Sequence, residues 1–382
     1  MNEHADPPPR RPSILLVVEQ LRRAVPGGVG TYAEGLLGGL ATLDAATADG
    51  RVEPSPITLL ASRATPDPLL RWGRPVRTSP LPSRLCTRAW DLGVARAPSG
   101  FDVVHGVSLA APARARRDRG PLVLTVHDLA WRTHPEATTR RGARWHEAAL
   151  GRGIKRADAF VVPSAAVADD LVAAGAAADT VSVIGHGSDH LPAPDRAGAA
   201  AILRASGVDG PYLLTVSTLE PRKNLGRLIE AYRAARTALP ELPPLVVAGP
   251  VGWGDPGLGG PTEGVTTVGH VEGAALSGLY AGAAALLYVP LAEGFGLPPI
   301  EAMAVGTPVV ASTAVPSVTE GPGDVALLVD PTDINAIADA LVAVACDRDL
   351  SDALGARGEA FARARTWRDS AAAHLALWER LS

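Results

Sequence analysis

Glu293-Gly-Phe-Gly-Leu-Pro-Pro-Ile-Glu301 places two carboxylates eight positions apart around two glycines and two prolines. The apolar run Ala283-Ala-Ala-Leu-Leu-Tyr-Val-Pro290 leads in, and Thr307-Pro-Val-Val-Ala311 leads out. Together they read as a buried strand, a turn, a helix opening at Pro298 and a second strand. The turn then lies at the carboxyl end of a parallel strand, where open α/β sheets bind ligands. Glycines let backbone amides approach a ligand closely, and a helix start favours an anion. A carboxylate on each side of such a site suits a ligand whose hydroxyls flank phosphates.

Outward from this stretch, strands and helices alternate through both halves, which predicts an α/β chain of two doubly wound parallel sheets covered by helices. First-half strands are expected at Ile14–Val18, Ile57–Leu60, Val103–His105, Leu122–Val126, Ala159–Val162 and Val181–Ile184. Its helices are expected from Tyr32 to Leu40 after a glycine-rich turn, over Thr139–Arg156 and over Ala165–Ala174. The Pro/Ala/Gly-rich stretch from Leu191 to Ala199 reads as a linker. Strands follow at Tyr212–Val216, Leu245–Ala248, Val265–Val268, Ala284–Val289, Val309–Ala311 and Ala326–Val329, and the chain closes on helices at Ile334–Ala345, Leu350–Arg363 and beyond Trp367. The expected divisions are a disordered tail at 1–12, a first domain over 13–192, a second over 200–365 and a final helix over 366–382. Two such domains leave a cleft between their strand ends, a preferred place for a ligand, with a linker that lets it open and close.

Composition excludes more than it assigns. The chain has 382 residues, enough for two full cores. A formal net charge of -4 gives no global pointer to nucleic acid. Residues 1–192 hold 23 Lys+Arg against 19 Asp+Glu, a net of +4, whereas residues 193–382 hold 13 against 21, a net of -8. The basic first half is compatible with a weak peripheral contact at anionic lipid headgroups and equally with scatter in an Arg-rich chain. Around Arg140-Arg141-Gly-Ala-Arg144-Trp145-His146 the same choice recurs: a membrane-facing helix, or a solvated face with one buried Trp. No apolar run approaches the ~20 residues of a membrane-spanning helix. The Pro-rich start, Met1 to Pro12, reads as a tail and not as a signal peptide. Cys86 and Cys346 form no metal-ligand spacing, so the expected setting is a reducing cytoplasm, including the inner face of its membrane.

Four groups carry candidate chemistry. Gly27-Gly28-Val29-Gly30 follows the first strand and brings amides to a phosphate or hydroxyl, or is simply a tight turn; it does not fit the G-x-G-x-x-G dinucleotide pattern. His127-Asp128 ends an apolar run, so the imidazole faces the cleft, where it can bond a hydroxyl or assist charge development; the plain alternative is a His on a neighbouring carbonyl beside a capping Asp. His105, near another strand end, is read as structural. Thr218-Leu-Glu-Pro-Arg222-Lys223-Asn224 follows the first strand of the second half. The chain has 34 Arg and two Lys, Lys155 and Lys223, so a retained Lys stands out. An ammonium beside a guanidinium suits a diphosphate. The plain alternatives are solvated charge for the pair, a helix cap for Asn224 and a solvated helix end for Lys155. Glu293 and Glu301 are either an acid/base pair or, respectively, a loop brace and a helix-dipole partner.

With these residues assembled, the chain resembles the family 4 retaining glycosyltransferases of GT-B architecture over nearly its whole length, most strongly over Ser217–Ser312 and Leu122–Val183. Glu220-Pro-Arg-Lys-Asn224, Gly269-His-Val271 and the Glu293/Glu301 spacing carry the resemblance. Thr125-Val-His-Asp128 with Pro135-Glu136 is similar to the mannosyl- and rhamnosyltransferase-like branch. The resemblance implies two Rossmann-like domains and a C-terminal helix crossing back to the first. It implies donor-sugar contacts for Glu293, ribose contacts for Glu301, and amides of Gly294, Phe295 and Gly296 near sugar and phosphate, with Leu297 and Thr218 beside the donor. Arg222 and Lys223 would neutralise the diphosphate, His127 would face the reacting sugar, and Gly27, Gly28, Val29 and Asp128 would line the junction of acceptor and diphosphate.

The activity implied by the resemblance is transfer, with retention, from a nucleoside diphosphate sugar, GDP-mannose first and a dTDP- or UDP-sugar next. The expected acceptor is a glycan, a lipid-linked or a small-molecule hydroxyl in cell-envelope or glycoconjugate synthesis. Neither metal nor other cofactor is implied, and the sequence offers no D-x-D motif at a suitable loop. One departure stands out: many relatives carry an Arg five positions before the Lys, where this chain has Thr218. The rival readings are a nucleotide-sugar epimerase or phosphorylase on a related architecture, and a non-catalytic partner subunit that retains the fold.

Overall fold

A computed structural model describes residues 11–23, 25–46, 56–113, 120–135, 138–252 and 263–382. All of the expected tail but Arg11 and Pro12, and also Glu136, lie outside the described residues. The first sheet comprises β1 (Ile14–Val17), β2 (Ile57–Ser62), β3 (Val76–Ser79), β4 (Val103–Gly106), β5 (Leu122–Thr125), β6 (Ala159–Val162) and β7 (Val181–Val183). Its seven strands run parallel in the order β3-β2-β1-β4-β5-β6-β7. The second comprises β8 (Leu213–Val216), β9 (Leu245–Ala248), β10 (Val265–Gly269), β11 (Ala285–Tyr288), β12 (Val309–Ser312) and β13 (Leu327–Val329), in the parallel order β10-β9-β8-β11-β12-β13. This is the Rossmann order, and its direction reverses between β8 and β11. In the first sheet the reversal falls between β1 and β4.

Both faces of each sheet are covered, which is why the central strands read as unbroken apolar runs. Successive side chains of β1 point to opposite faces. Ile14 and Leu16 pack with Leu36, Leu40 and Trp378, whereas Leu15 and Val17 pack with Cys86, Trp90 and Leu150. Four elements differ from expectation, one of them the helix Arg196–Ala205, which begins inside the stretch read as a linker. The helix Gly27–Ala46 opens at Gly27 and not at Tyr32, so the glycine-rich stretch is its first turn. Strand β3 and the helix Ser83–Asp91 carried no readable apolar pattern, because β3 is an edge strand that buries none of its side chains and the helix alternates Arg with core residues.

The last helix, Trp367–Leu381, returns to the first lobe and lies along Gly27–Ala46. Close approach is possible because Gly35 and Gly39 have no side chain; a Cβ on Gly35 would lie 2.1 Å from the Trp367 ring. A buried polar chain fixes this helix, and the chemistry of its ends fixes its direction. The indole Nε1 of Trp378 can only donate, and does so to His105 Nδ1 at 3.0 Å. His105 Nε2 therefore carries the proton and donates to Thr125 Oγ1 at 2.9 Å. Thr125 donates to Tyr32 Oη at 3.0 Å, and Tyr32 donates to His374 Nε2 at 2.8 Å. His374 Nδ1 donates to the carbonyl of Ser370 at 2.7 Å. The chain starts and ends on the same helix, and it requires both imidazoles to be neutral.

Burial, with added repulsion from neighbouring imidazoles at His105 and His186, holds those two rings well below the ordinary histidine range, and burial brings His374 to about 4. These folded-state values lie below the unfolded value of about 6.5, so the unfolded chain takes up the protons first. Stability from the neutral rings is full above pH 6.5 and is lost as pH falls toward 4. Urea denaturation at pH 6.5, 6.0 and 5.5 should lose about 1 kcal/mol across that window for each such histidine, with the slope steepening as pH falls. Equal stability at the three values would refute a neutral network.

Candidate active site

The charged residues gather where β8 and β11 end, at the reversal of the second sheet. After β8, Pro221–Lys223 form a short 3-10 turn that stops at Asn224, in the left-handed region at φ 59. The plain alternative for Asn224, a side chain capping the following helix, does not hold: its Nδ2 donates to the carbonyls of Val289 at 3.0 Å and Pro331 at 2.7 Å. That pins the turn against the end of β11, as does the Leu291 amide donating to the Arg222 carbonyl at 2.9 Å. Lys223 Nζ thereby meets Glu293 Oε2 at 2.5 Å and the Tyr288 hydroxyl at 2.9 Å. Tyr288 donates to the same carboxylate oxygen at 2.7 Å. Arg222 reaches Glu293 Oε1 at 3.3 Å, the Ala292 carbonyl at 2.9 Å and Glu220 at 3.0 Å.

Burial opposes ionisation of Glu293, yet Lys223 and Arg222 hold its carboxyl below the usual range. Burial and the adjacent Arg222 lower Lys223. Arg222 is likewise desolvated, but Glu293, Asp128 and Glu220 hold it firmly charged. Glu293 and Glu220 bond the two cations, and Asp128 adds a third acid nearby. Thr218 stands apart from the set, its methyl against Gly252.

Gly294-Phe-Gly296 turns between β11 and the helix Leu297–Ala304, and Gly296 sits at φ +96. The carbonyls of Phe295 and Gly296 are tied to the amide and hydroxyl of Ser317. The amides of Gly294, Phe295 and Gly296 make no hydrogen bond among the described residues. Pro298 and Pro299 contribute no N–H, so the amides of the turn and of Leu297 are the donors left at this helix start. Glu301, within that helix, receives the Tyr280 hydroxyl at 2.7 Å and His190 Nε2 at 2.9 Å.

From the first lobe, His127 at the end of β5 donates through Nε2 to the Val107 carbonyl at 2.8 Å, which leaves Nδ1 as its acceptor. Burial lowers the ring's proton affinity, against that hydrogen bond and Asp128. Its backbone carbonyl presses on Gly294, where a Cβ would sit 1.7 Å away. Its ring meets Tyr32 edge-on at 4.8 Å, one turn after Gly27, Gly28 and Val29. Nothing lies within 4 Å of where a Gly28 side chain would begin. Phe295 crosses into this lobe, 4.5 Å from the His186 ring, whose two nitrogens are buried without a partner among the described residues.

The structure therefore joins His127, Asp128, Arg222, Lys223, Glu293 and Gly294 in one place, with Phe295, Gly296, Leu297 and Glu301 following on from the same turn. Sequence reasoning missed Glu220, Tyr280, Tyr288 and His190. Glu220 was the readable one, an acid two residues before Arg222. Among the described residues, no group of three His, Cys, Asp or Glu is arranged to hold a metal ion. No helix among them is long and apolar enough to cross a membrane.

Two described families match: Glycosyltransferase Family 4 over residues 26–190 and Glycosyl transferases group 1 over residues 210–347. O-antigen chain mannosyltransferase B of Escherichia coli is 30% identical over 274 residues, spanning 69% of this chain and 71% of its own. D-inositol 3-phosphate glycosyltransferase of Kribbella flavida is 29% identical over 333 residues, 78% of this chain and 76% of its own. Sucrose-phosphate synthase from Thermosynechococcus elongatus superposes with a TM-score of 0.74 at 21% identity, covering 97% of this chain and 99% of that one. HepE of Anabaena, solved with UDP and glucose, gives 0.67 at 19% identity, covering 97% and 100%. These two structures bear on the fold, which is GT-B.

The contact between Gly294 and His127 is a backbone contact that no rotamer can relieve. Gly294→Ala should destabilise by about 1–3 kcal/mol through overpacking, and Gly28→Ala by no more than about 0.5 kcal/mol. Thermal unfolding midpoints of the two variants check this; equal midpoints would place the lobes farther apart.

Proposed function

The chain belongs to glycosyltransferase family 4, and from that premise we propose that it transfers a sugar from a nucleoside diphosphate sugar to an acceptor hydroxyl with retention at the anomeric carbon. The observation that carries this reading is the pairing of Arg222 and Lys223 with Glu293 beside three unbonded amides. The donor's diphosphate takes the two cations over and meets the amides of Gly294, Phe295 and Gly296. Glu293, released from them, accepts hydroxyls of the donor sugar, and Glu301 accepts those of the ribose. As the bond from the anomeric carbon to the diphosphate breaks, charge grows on the departing oxygen. Arg222, Lys223 and the amides stabilise it, and a preorganised, buried array does so without reorganising. That oxygen takes the acceptor's proton while the acceptor oxygen bonds the same face of the carbon. No protein nucleophile is needed, and with two cations on the diphosphate none of the charge falls to a metal. Neutral His127 offers Nδ1 to a sugar hydroxyl, and the Gly27–Val29 turn and Asp128 border the acceptor.

For the donor we propose GDP-mannose ahead of UDP- and dTDP-sugars, a choice supported by the mannosyltransferase among the relatives. Lys223→Ala and Glu301→Ala should each lower turnover about 100- to 1,000-fold with the fold kept. Full activity in both would end the assignment. A thermal-shift series with GDP-, UDP- and dTDP-sugars should single out the donor, since bound ligand raises apparent stability. Wild-type protein that binds no nucleoside diphosphate in calorimetry would favour a non-catalytic subunit, and donor conversion without acceptor an epimerase.

The acceptor lobe also offers a membrane contact. Helix Ser83–Asp91 exposes Arg84, Leu85 and Arg88 on one side, followed by exposed Leu92 and Val94. Trp145 and Arg152 of the helix Arg140–Arg156 bond to Asp91, which ties to this helix end a second helix with Arg140, Arg141 and Arg144 exposed. Cationic side chains around exposed leucines suit an anionic bilayer. Vesicles of phosphatidylglycerol should sediment the protein and those of phosphatidylcholine should not, and Leu85→Asp with Leu92→Asp should abolish sedimentation. Equal behaviour with both lipids would rule this contact out.

A further inference from the structure

The chain passes between lobes twice, after β7 and again before Trp367, and the two passages are bonded to each other. Ser188 donates from its amide to the Arg365 carbonyl at 3.0 Å and from its hydroxyl to the Ala362 carbonyl at 2.8 Å. Asp189 Oδ1 accepts the Trp367 amide at 2.7 Å. The Trp367 ring lies on Gly35 and stacks on His186 at 5.4 Å. Its Nε1 donates to His190 Nδ1 at 3.1 Å.

That last contact decides the chemistry of His190. Indole nitrogen only donates, so Nδ1 is bare and the ring's proton is on Nε2. Nε2 lies 2.9 Å from Glu301 Oε1 and donates to it. Tyr280 donates to Oε2 at 2.7 Å. Each carboxylate oxygen has about two acceptor positions, so each keeps one after these bonds. One position thus remains on each oxygen of a carboxylate held from both ends, with Glu301 only 7% exposed. Two adjacent acceptors fit the two hydroxyls of a vicinal diol.

We infer that His190 is a positioning residue for the nucleoside end of the donor: it orients Glu301 to read the vicinal diol of a ribose, acting from the interdomain crossover, with Trp367 setting which nitrogen carries the proton. The inference rests on the proposed nucleoside diphosphate donor and adds that this site discriminates ribose from 2′-deoxyribose. Neither His190 nor Trp367 needs to touch the nucleotide.

Calorimetry with GDP and 2′-deoxy-GDP, and with UDP and 2′-deoxy-UDP, tests it on full-length protein. Wild type should prefer the ribonucleotide by about tenfold or more, the scale of one hydrogen bond to a charged acceptor. His190→Phe keeps a ring but loses both bonds; it should bring the preference to within about twofold while binding the deoxynucleotide as wild type does. His190→Gln, which still offers an N–H toward Glu301, should restore most of the preference. Trp367→Phe, which removes the indole donor and keeps an aromatic ring, should narrow the preference without abolishing it, and remains informative if His190→Phe does not fold. A variant that weakens ribo- and deoxynucleotide alike, or that keeps the wild-type preference, would overturn the positioning role. Wild type that binds neither nucleotide would overturn the donor assignment itself, and this inference with it.

Discussion

The carboxylate of Glu293 between Arg222 and Lys223 is the interaction on which the rest of the site depends. It joins two loops that share no local sequence, one after β8 and one after β11, at the point where the order of the second sheet reverses. Without that carboxylate, two cations adjacent in sequence would be buried side by side with only Glu220 and the more distant Asp128 to offset them. Such an arrangement is costly in a medium of low polarizability. Ion pairs of this kind hold only when the other hydrogen-bonding capacity is met, and here it is. Tyr288 donates to Glu293, the Ala292 carbonyl accepts from Arg222, and Asn224 anchors the turn that carries both cations. The same feature makes this a place already built for negative charge, which in the proposed function the donor's diphosphate takes over from one acid.

The second constraint is the contact between lobes, and it is largely backbone. Gly294 meets the His127 carbonyl, and its own carbonyl accepts the Ser164 hydroxyl at 2.7 Å. Ser164 also caps the helix Ala165–Ala173, whose first amides at Ala165 and Ala166 each donate at 3.0 Å to Glu320 of the other lobe. A helix start in one lobe is therefore satisfied by an acid from the other, where the dipole favours it. These bonds place the imidazole of His127 and the turn of Glu293 at a distance that backbone geometry sets.

Much of this was legible because parallel strands buried on both faces leave a plain mark. Leu122–Thr125 and Ala285–Tyr288 are wholly apolar or small, and the chemistry sits at the residues that follow them. Edge strand β3 has no such mark, since one flank is open and Arg77 and Thr78 face solvent. The opening of the first helix was hidden by glycines that read as a turn; Gly27 does take the left-handed conformation at φ +60, but Gly28 to Gly30 continue as helix, with Gly30 against Pro26. Tyr288 and Tyr280 looked like core residues of a strand and a helix, and their rings are indeed buried; only the hydroxyls reach the acids. His190 lay at the edge of a linker, where sequence gives no hint that two passages of chain cross.

That crossing also explains the choice of histidine. A neutral imidazole accepts at one edge and donates at the other, so it can pass a hydrogen bond onward with its direction preserved. Asn and Ser do this over shorter reach and with less defined direction. Two tryptophans of the final helix exploit the property in parallel. Trp378 donates to Nδ1 of His105 inside the first lobe, and Trp367 donates to Nδ1 of His190 beside Glu301. In each case a donor that cannot accept fixes the tautomer, and the opposite nitrogen is committed to an acceptor. The returning helix is thus more than a cover for the first sheet. By imposing proton positions on one histidine in the core and another at the cleft, it makes the packing of the chain's last fifteen-residue helix a determinant of how Glu301 is presented.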